Sequence, residues 1–283
     1  MIEGDFFRIG KIFWLVKGLL HGKDWHVVIP RYIGSIKIKS LKDIMGFMHN
    51  NYWFMLNYDC FGRAVPVMKN NLAKPLLAKD LFTNNYGKLN STEKEFVSFF
   101  INEKVELGLT GSKSIFHEGK DIDIIIYTKK PSEVIEILET LKKRGELKGG
   151  ISMDNYGDRG LSEKAYAYLL KDRLLEGRYK GKLDYSIRII SDDEKVCTEP
   201  IITIGIIKEI KIIEAISPYT TPSIYYGVND KGEKLKVYSH RITFNELKEG
   251  TQIKGMLIHE FNPYLQDFCI NLDISKVEDI NMI

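Results

Sequence analysis

Two short segments with apolar residues at a period of two constrain this chain most. In Asp121-Ile122-Asp123-Ile124-Ile125-Ile126-Tyr127 and in Leu183-Asp184-Tyr185-Ser186-Ile187-Arg188-Ile189 every second residue is apolar. A strand sends successive side chains to opposite faces, so Asp121 and Asp123 share one face while Ile122, Ile124 and Ile126 share the other. By the same period Asp184, Ser186 and Arg188 lie together, opposite Leu183, Tyr185, Ile187 and Ile189, as in a half-buried strand. Carboxylates one pleat apart raise each other's pKa unless a cation lies between them, and a hard divalent ion bound through carboxylate oxygens is the usual resolution.

Just upstream, Val105 to Leu109 reads as a strand that ends in Gly111-Ser112. Gly111 lets the backbone approach a ligand closely, and the amides after it, at a helix start, suit a phosphate. Gly111-Ser112, eight intervening residues and Asp121-Ile122-Asp123 together resemble the signature of the polymerase β nucleotidyltransferase superfamily. The resemblance calls for a third carboxylate on a later strand, and Asp184 meets that demand. It implies a metal-dependent nucleotidyltransferase that moves a nucleoside monophosphate from a nucleoside triphosphate to an acceptor hydroxyl on a nucleic acid, with pyrophosphate release. Two Mg2+ or Mn2+ ions would be held by Asp121, Asp123 and Asp184. Gly111, Ser112 and Lys113 would contact the triphosphate, with Ser114 and His117 as further candidates by proximity. No motif separates RNA or DNA from a protein side chain or small molecule as acceptor. The alternative is a catalytically inactive protein of the same fold, a nucleic-acid-binding or scaffold module in which the acids are vestigial. Taken alone, Asp184 also reads as a solvated strand residue.

The remaining chain arranges itself around this core as an α+β protein. A polymerase β-type nucleotidyltransferase core at 91–195, a mixed sheet with helices, is expected between an N-terminal α+β domain at 1–90 and a small β-barrel-like domain at 196–283. In the first domain, strands flank Gly22-Lys23, and a helix follows Ser40, whose cap is completed by Asp43 and whose stripe is Leu41, Ile44, Met45 and Met48. A strand pair is expected to turn near Phe61-Gly62. Three stretches, EGDFF, VKGLLHGKDWHVVIPRYI and NYDCFGRAVP, resemble the N-terminal region of uncharacterised archaeal proteins predicted to be nucleotidyltransferases. That second resemblance carries no substrate. Within its region His21, His26 and Arg31 form a candidate polar site, though six scattered histidines offer no metal spacing.

Residues 83–94 contain the turn formers of a linker, after which Ser91 or Thr92 can cap a helix, with Glu95 as the capping-box partner of Thr92. Pro131 opens a further helix that Gly145 closes. The glycine-rich stretch 145–160 reads as a loop able to gate a site, and 161–179 as one long helix. Lys180, Lys182 and Arg188 flank Asp184 as candidate phosphate contacts. From 201 onward short strands follow one another without an intervening helix, which predicts an antiparallel barrel of OB-like topology. Tyr219, Tyr225 and Tyr226 could line a groove there or pack between domains.

Charge narrows the partners. Residues 1–90 carry 13 basic and 6 acidic side chains, 91–192 carry 18 of each, and 193–283 carry 10 and 14. The basic first segment suits RNA or DNA, or is simply a solvated lysine-rich surface. A hydrophobic fraction of 44% with 28% charged residues excludes the disordered classes. The apolar run 12–20 is interrupted by Lys17 and is too short to span a bilayer, and it lacks the layout of a secretory signal. No membrane partner and a cytoplasmic location are therefore expected. Cys60, Cys197 and Cys269 form no CxxC pair and read as buried free thiols.

Overall fold

The computed structural model describes residues 1–38, 40–58, 63–101, 105–150 and 160–282 of the 283-residue chain. The first unit contains β1 (Phe6–Ile9), β2 (Ile12–Val16), β3 (Leu20–His21), β4 (Trp25–Ile33), β5 (Ile36–Lys37), α1 (Leu41–Asn50), β6 (Met55–Tyr58), β7 (Arg63–Lys69) and β8 (Lys74–Leu76). Its strands form an antiparallel sheet ordered β6-β7-β4-β2-β1-β8, with β5 on β4. The expected cap of α1 is present, with the Ser40 hydroxyl accepting from Asp43 N–H and Asp43 accepting from Ser40 N–H. Met48 is buried and Met45 lies outside the stripe, exposed to solvent.

The second unit contains α2 (Ala78–Asn85), α3 (Ser91–Ser98), β9 (Glu106–Thr110), α4 (Gly111–Phe116), β10 (Asp121–Tyr127), α5 (Pro131–Lys143), β11 (Leu147–Gly149), β12 (Glu176–Tyr179) and β13 (Leu183–Ile190). Between β11 and β12 the chain forms α6 (Glu163–Leu169), whose Ala165 and Leu169 pack into the core of the C-terminal barrel. Its sheet runs β11-β12-β13-β10-β9, parallel only between β10 and β13. One face is apolar. Ile122, Ile124 and Ile126 of β10 and Tyr185, Ile187 and Ile189 of β13 meet Phe96, Val97 and Phe100 near α3 and Val134, Leu138 and Leu141 of α5. Each of the three isoleucines is at most 1% exposed, worth roughly 1.5–3 kcal/mol of burial apiece. The opposite face is left for the carboxylates.

After β14 (Lys195–Val196), which pairs with β3, come β15 (Ile202–Ser217), β16 (Ser223–Asn229), β17 (Lys234–Ser239), β18 (Thr251–Asn262) and β19 (Asp267–Met282). These five close into a barrel ordered β15-β16-β17-β19-β18, antiparallel except between β17 and β19. The chain is thus a mixed α+β protein with a closed five-stranded C-terminal barrel. No helix among the described residues is long and apolar enough to cross a membrane.

Several expectations are corrected. The single helix over 161–179 is instead the seven-residue α6 followed by β12, because 176–179 bridge β11 and β13. The 83–94 linker is largely helical and packs on the second unit through Tyr86 and Leu89. Asn90, paired with Glu93, caps α3 in place of Ser91 or Thr92. Cys197 is disulfide-bonded, whereas Cys269 is a buried free thiol as expected. The Phe61-Gly62 turn, Cys60 and the 151–159 part of the gating loop lie outside the described residues.

Candidate active site

The parallel register of β10 and β13 places Asp184 directly beside Asp121, and Ser186 beside Asp123. All four share the face opposite the apolar core. On the other side of β10, Thr110 at the end of β9 pairs with Asp123, so the Gly111 turn lies against the same carboxylate. Gly111 has φ +74°, and a Cβ there would stand 2.0 Å from Asp123 Oδ2. Only glycine fits this position, for reasons of backbone and of space. Gly119 closes the α4–β10 connection, and a Cβ on it would lie 2.8 Å from Ser112 Oγ and 3.4 Å from Asp121 Oδ1. Ser112 and Asp121 therefore border the same small space.

Asp123 is half-buried and accepts a hydrogen bond from the Ser186 hydroxyl. Burial, then the charge of Asp121, push its pKa above the ordinary Asp value, with the Ser186 bond, Lys37 and Arg31 pulling the other way. Lys37 and Arg31 belong to the first sheet, which reaches the site through Tyr32. That ring packs on Phe116 of α4 at a centroid distance of 5.2 Å, and Phe13 joins it. Burial raises the Tyr32 pKa to about 12, and its phenol feels Arg31, Asp123 and Asp121. Of the polar residues singled out in the first domain, Arg31 bears on Asp123 through its charge alone, and Tyr32 and Lys37 were missed. Each carries an ordinary strand side chain, so no motif marked it.

Asp184 is committed elsewhere. Arg178 of β12 holds it with two bonds, Nε to Oδ1 at 2.6 Å and Nη2 to Oδ2 at 3.1 Å. The register that pairs Arg178 with Asp184 makes this contact local. Among the described residues no three His, Cys, Asp or Glu side chains are grouped closely enough to hold a metal ion. Arg178 escaped the sequence reading because 176–179 read as helix; recognition of β12 would have set it opposite Asp184.

Other candidates have structural partners. The Lys113 ammonium is bound by the buried Glu93. Ser114 donates to Gly111 O at 2.8 Å and fixes the turn, and His117 sits at the C-terminus of α4 with φ +60°, 3.0 Å from Lys88 Nζ. Lys180 pairs with Glu95 at 2.5 Å, and Lys182 is exposed. Arg188 lies farther along the carboxylate face and bonds Glu3 and the His240 carbonyl. His21 is buried and held well below its ordinary pKa by burial and by the nearby His26. His26 bonds Asn70 and Glu194. Tyr225 lies in the barrel core and donates to Phe244 O, Tyr219 packs on the second unit, and Tyr226 lies under Lys234. No groove of tyrosines results.

The site is thus a buried-edged carboxylate pair on one strand, a third carboxylate in register beside it under an arginine, and a glycine turn that could take no other residue. No family model, no curated protein and no solved structure matches the chain.

Proposed function

We propose that residues 91–195 form a polymerase β-type nucleotidyltransferase core, and that the chain transfers a nucleoside monophosphate from a nucleoside triphosphate to a hydroxyl on a nucleic acid. The observation that supports this reading is the register setting Asp121 beside Asp184 on the face where the Gly111 turn meets Asp123. The donor set suits a hard divalent ion. Two carboxylates stand on one face of β10, and burial, then the charge of Asp121, make Asp123 hold its proton more tightly than usual, so a divalent ion bound between them would favour the ionised form.

Asp121 and Asp123 would hold magnesium or manganese, with Asp184 joining them once Arg178 turns away. Such ions supply Lewis acidity to the triphosphate and acidity to the acceptor hydroxyl. Around them, Ser112 would donate its hydroxyl to an outer phosphate, since it borders the space beside Asp121. Arg178, released from Asp184, would gain a second anion to bind, and a guanidinium suits a phosphate fork. Arg31 and Lys37 would add positive charge from the opposite wall. In the transfer the acceptor hydroxyl gives its proton to solvent, its oxygen bonds the α-phosphorus, the bond from that phosphorus to the bridging oxygen breaks, and pyrophosphate leaves with the electron pair. The barrel's strand order and its one parallel pair follow the OB pattern, which many nucleic-acid binders share, in keeping with an acceptor of that class.

A second reading has its own observation. The bidentate Arg178–Asp184 pair neutralises the third carboxylate, as expected of a protein that keeps the fold and binds without transfer. Calorimetric titration of the four ribonucleoside and four deoxyribonucleoside triphosphates, with and without magnesium or manganese, separates the two. Metal-dependent binding to the wild type that is lost in Asp121→Ala supports transfer; no binding of any of the eight by folded protein removes it.

A further inference from the structure

The strands of the first sheet hold Arg8, Arg31, Lys37, Arg63, Lys69 and Lys74, and not one Asp or Glu. Two of these cations are engaged away from the candidate site, Arg63 with the buried Glu260 and Lys69 over the Trp25 ring at 5.2 Å. Arg31 and Lys37 act on Asp123 through their charge. Arg8 and Lys74 are exposed and form no ion pair among the described residues. Arg8 donates Nε to Gly10 O at 3.0 Å and lies over the Phe13 ring at 5.4 Å, which leaves its two terminal nitrogens to a partner.

Register fixes where these side chains stand. Residues directly opposite each other on paired strands share a face of the sheet. The pairs Lys74–Arg8, Arg8–Phe13, Phe13–Tyr32 and Tyr32–Lys37 therefore form one row across β8, β1, β2, β4 and β5. Four strand spacings of about 4.8 Å set Lys74 roughly 19 Å from Lys37. This face overlooks the carboxylates, since Tyr32 packs on Phe116 and feels Asp121 and Asp123. Phe13 and Tyr32, at 8% and 1% exposure, are closed over by Phe116 and make a fixed centre between the cations at either end. The acids of the elements packed on this side are Asp80, next to Leu81, and Glu118, two residues past Phe116; both are exposed, and neither pairs with Arg8 or Lys74. Glu3 and Asp5, just before β1, are buried and turned to Lys17 and the Ala78 amide. A lysine beside Pro75 on an edge strand also discourages edge-to-edge pairing, but that role calls neither for Arg8 in register with it nor for a sheet without acids.

We propose that this row binds the sugar–phosphate backbone of a nucleic-acid strand, with Arg8 and Lys74 on its phosphates and the strand's end lying past Lys37 at Asp121 and Asp123. A phosphodiester chain is a linear array of like charges, one per about 3.4 Å of axis in a helical strand, so the row spans several of them. The Arg8 guanidinium suits the fork of a phosphate, and Lys74 adds a point charge beside it. With its rings covered, the row offers no stacking surface, so binding is independent of sequence. That the strand is the acceptor rests on the transfer reading above; that the row binds it does not.

Fluorescein-labelled oligothymidylate and oligouridylate, each of about twelve nucleotides, are titrated with the full chain by fluorescence anisotropy. EDTA is present, so that this measurement and the metal-dependent triphosphate titration succeed or fail separately. At least one strand is expected to bind the wild type, with log affinity falling linearly in log salt between about 50 and 200 mM. Arg8→Gln combined with Lys74→Gln should weaken that binding about tenfold or more at the lowest salt and reduce the salt slope by about 1.4, or 0.7 for each lost phosphate contact. Lys171→Gln combined with Lys248→Gln removes the same charge from exposed positions at the junction of α6 and the barrel, and should cost about twofold at most, the effect of net charge alone. Urea midpoints matching the wild type show that both double variants are folded. No binding of either strand by the wild type, an equal loss in the two double variants, or displacement of the strand by polyglutamate at the same concentration of charge overturns the proposal; the last result would assign the face to acidic proteins.

Discussion

Asp123 is the residue at which this fold works against itself. Its pKa is raised by burial and by Asp121, so ionisation costs more in the folded chain than in the unfolded one. Below the ordinary Asp value of 3.8 both states are protonated and nothing is lost. As pH rises past that value the unfolded chain ionises first, and the folded state loses stability until Asp123 ionises too. Asp123→Asn keeps an acceptor for the Ser186 hydroxyl and removes the charge. It should therefore unfold at higher denaturant than wild type at pH 7, with the gain vanishing towards pH 3. Magnesium should raise the wild-type midpoint and leave the variant unmoved; equal midpoints at both pH values would refute this account. Gly111 is the neighbouring case. Gly111→Ala sets a Cβ 2.0 Å from Asp123 Oδ2 at φ +74°, and should cost about 1–3 kcal/mol in thermal unfolding. These residues were legible because alternation and one glycine state their constraint locally. Tyr32 and Lys37 were not, since their place at the site depends on which strands meet.

At the scale of elements, legibility followed how local the decisive interaction is. The Ser40–Asp43 cap and the Pro131 start of α5 are written within one turn of chain and were read correctly. Residues 176–179 were not, because a helical spacing of apolar residues lost to pairing with strands that begin at Leu147 and Leu183. Gly177 carries the only local hint: a Cβ there would lie 2.4 Å from Lys148 O, too close for any other residue in a central strand. What β12 does for the site is to present Arg178 to Asp184. Both side chains are substantially exposed, so the pair adds little to stability, and its effect falls on the carboxylate's availability. Arg178→Gln should leave the unfolding midpoint near that of wild type while tightening manganese binding severalfold in calorimetry. Unchanged manganese affinity would mean that Asp184 is no part of a metal site.

The whole molecule is held around the candidate site by its first few residues. Glu3 is completely buried and accepts from Lys17 Nζ at 2.5 Å and Gly18 N at 2.6 Å, with Arg188 of β13 at 3.3 Å. Next to it, Gly4 O accepts from the Thr110 hydroxyl at the end of β9, and Asp5 accepts from Ala78 N at the start of α2. Arg188 in turn bonds the His240 carbonyl in the barrel. One carboxylate thus links the first sheet, the carboxylate-bearing sheet and the barrel. Burial alone would raise the Glu3 pKa, but Lys17 and Arg188 outweigh it and bring it below 4.5. Its contribution to stability is accordingly present above 4.5 and lost as pH falls through the lowered folded value. Glu3→Gln leaves two cations facing a neutral group and should cost about 3 kcal/mol at pH 7, the low end for a broken buried pair because Lys17 and Arg188 retain some solvent. Urea unfolding from pH 7 to pH 3 tests it. The two stabilities should converge as the wild-type carboxyl takes up its proton, and a gap constant with pH would show that packing around residue 3, rather than its charge, joins the three units.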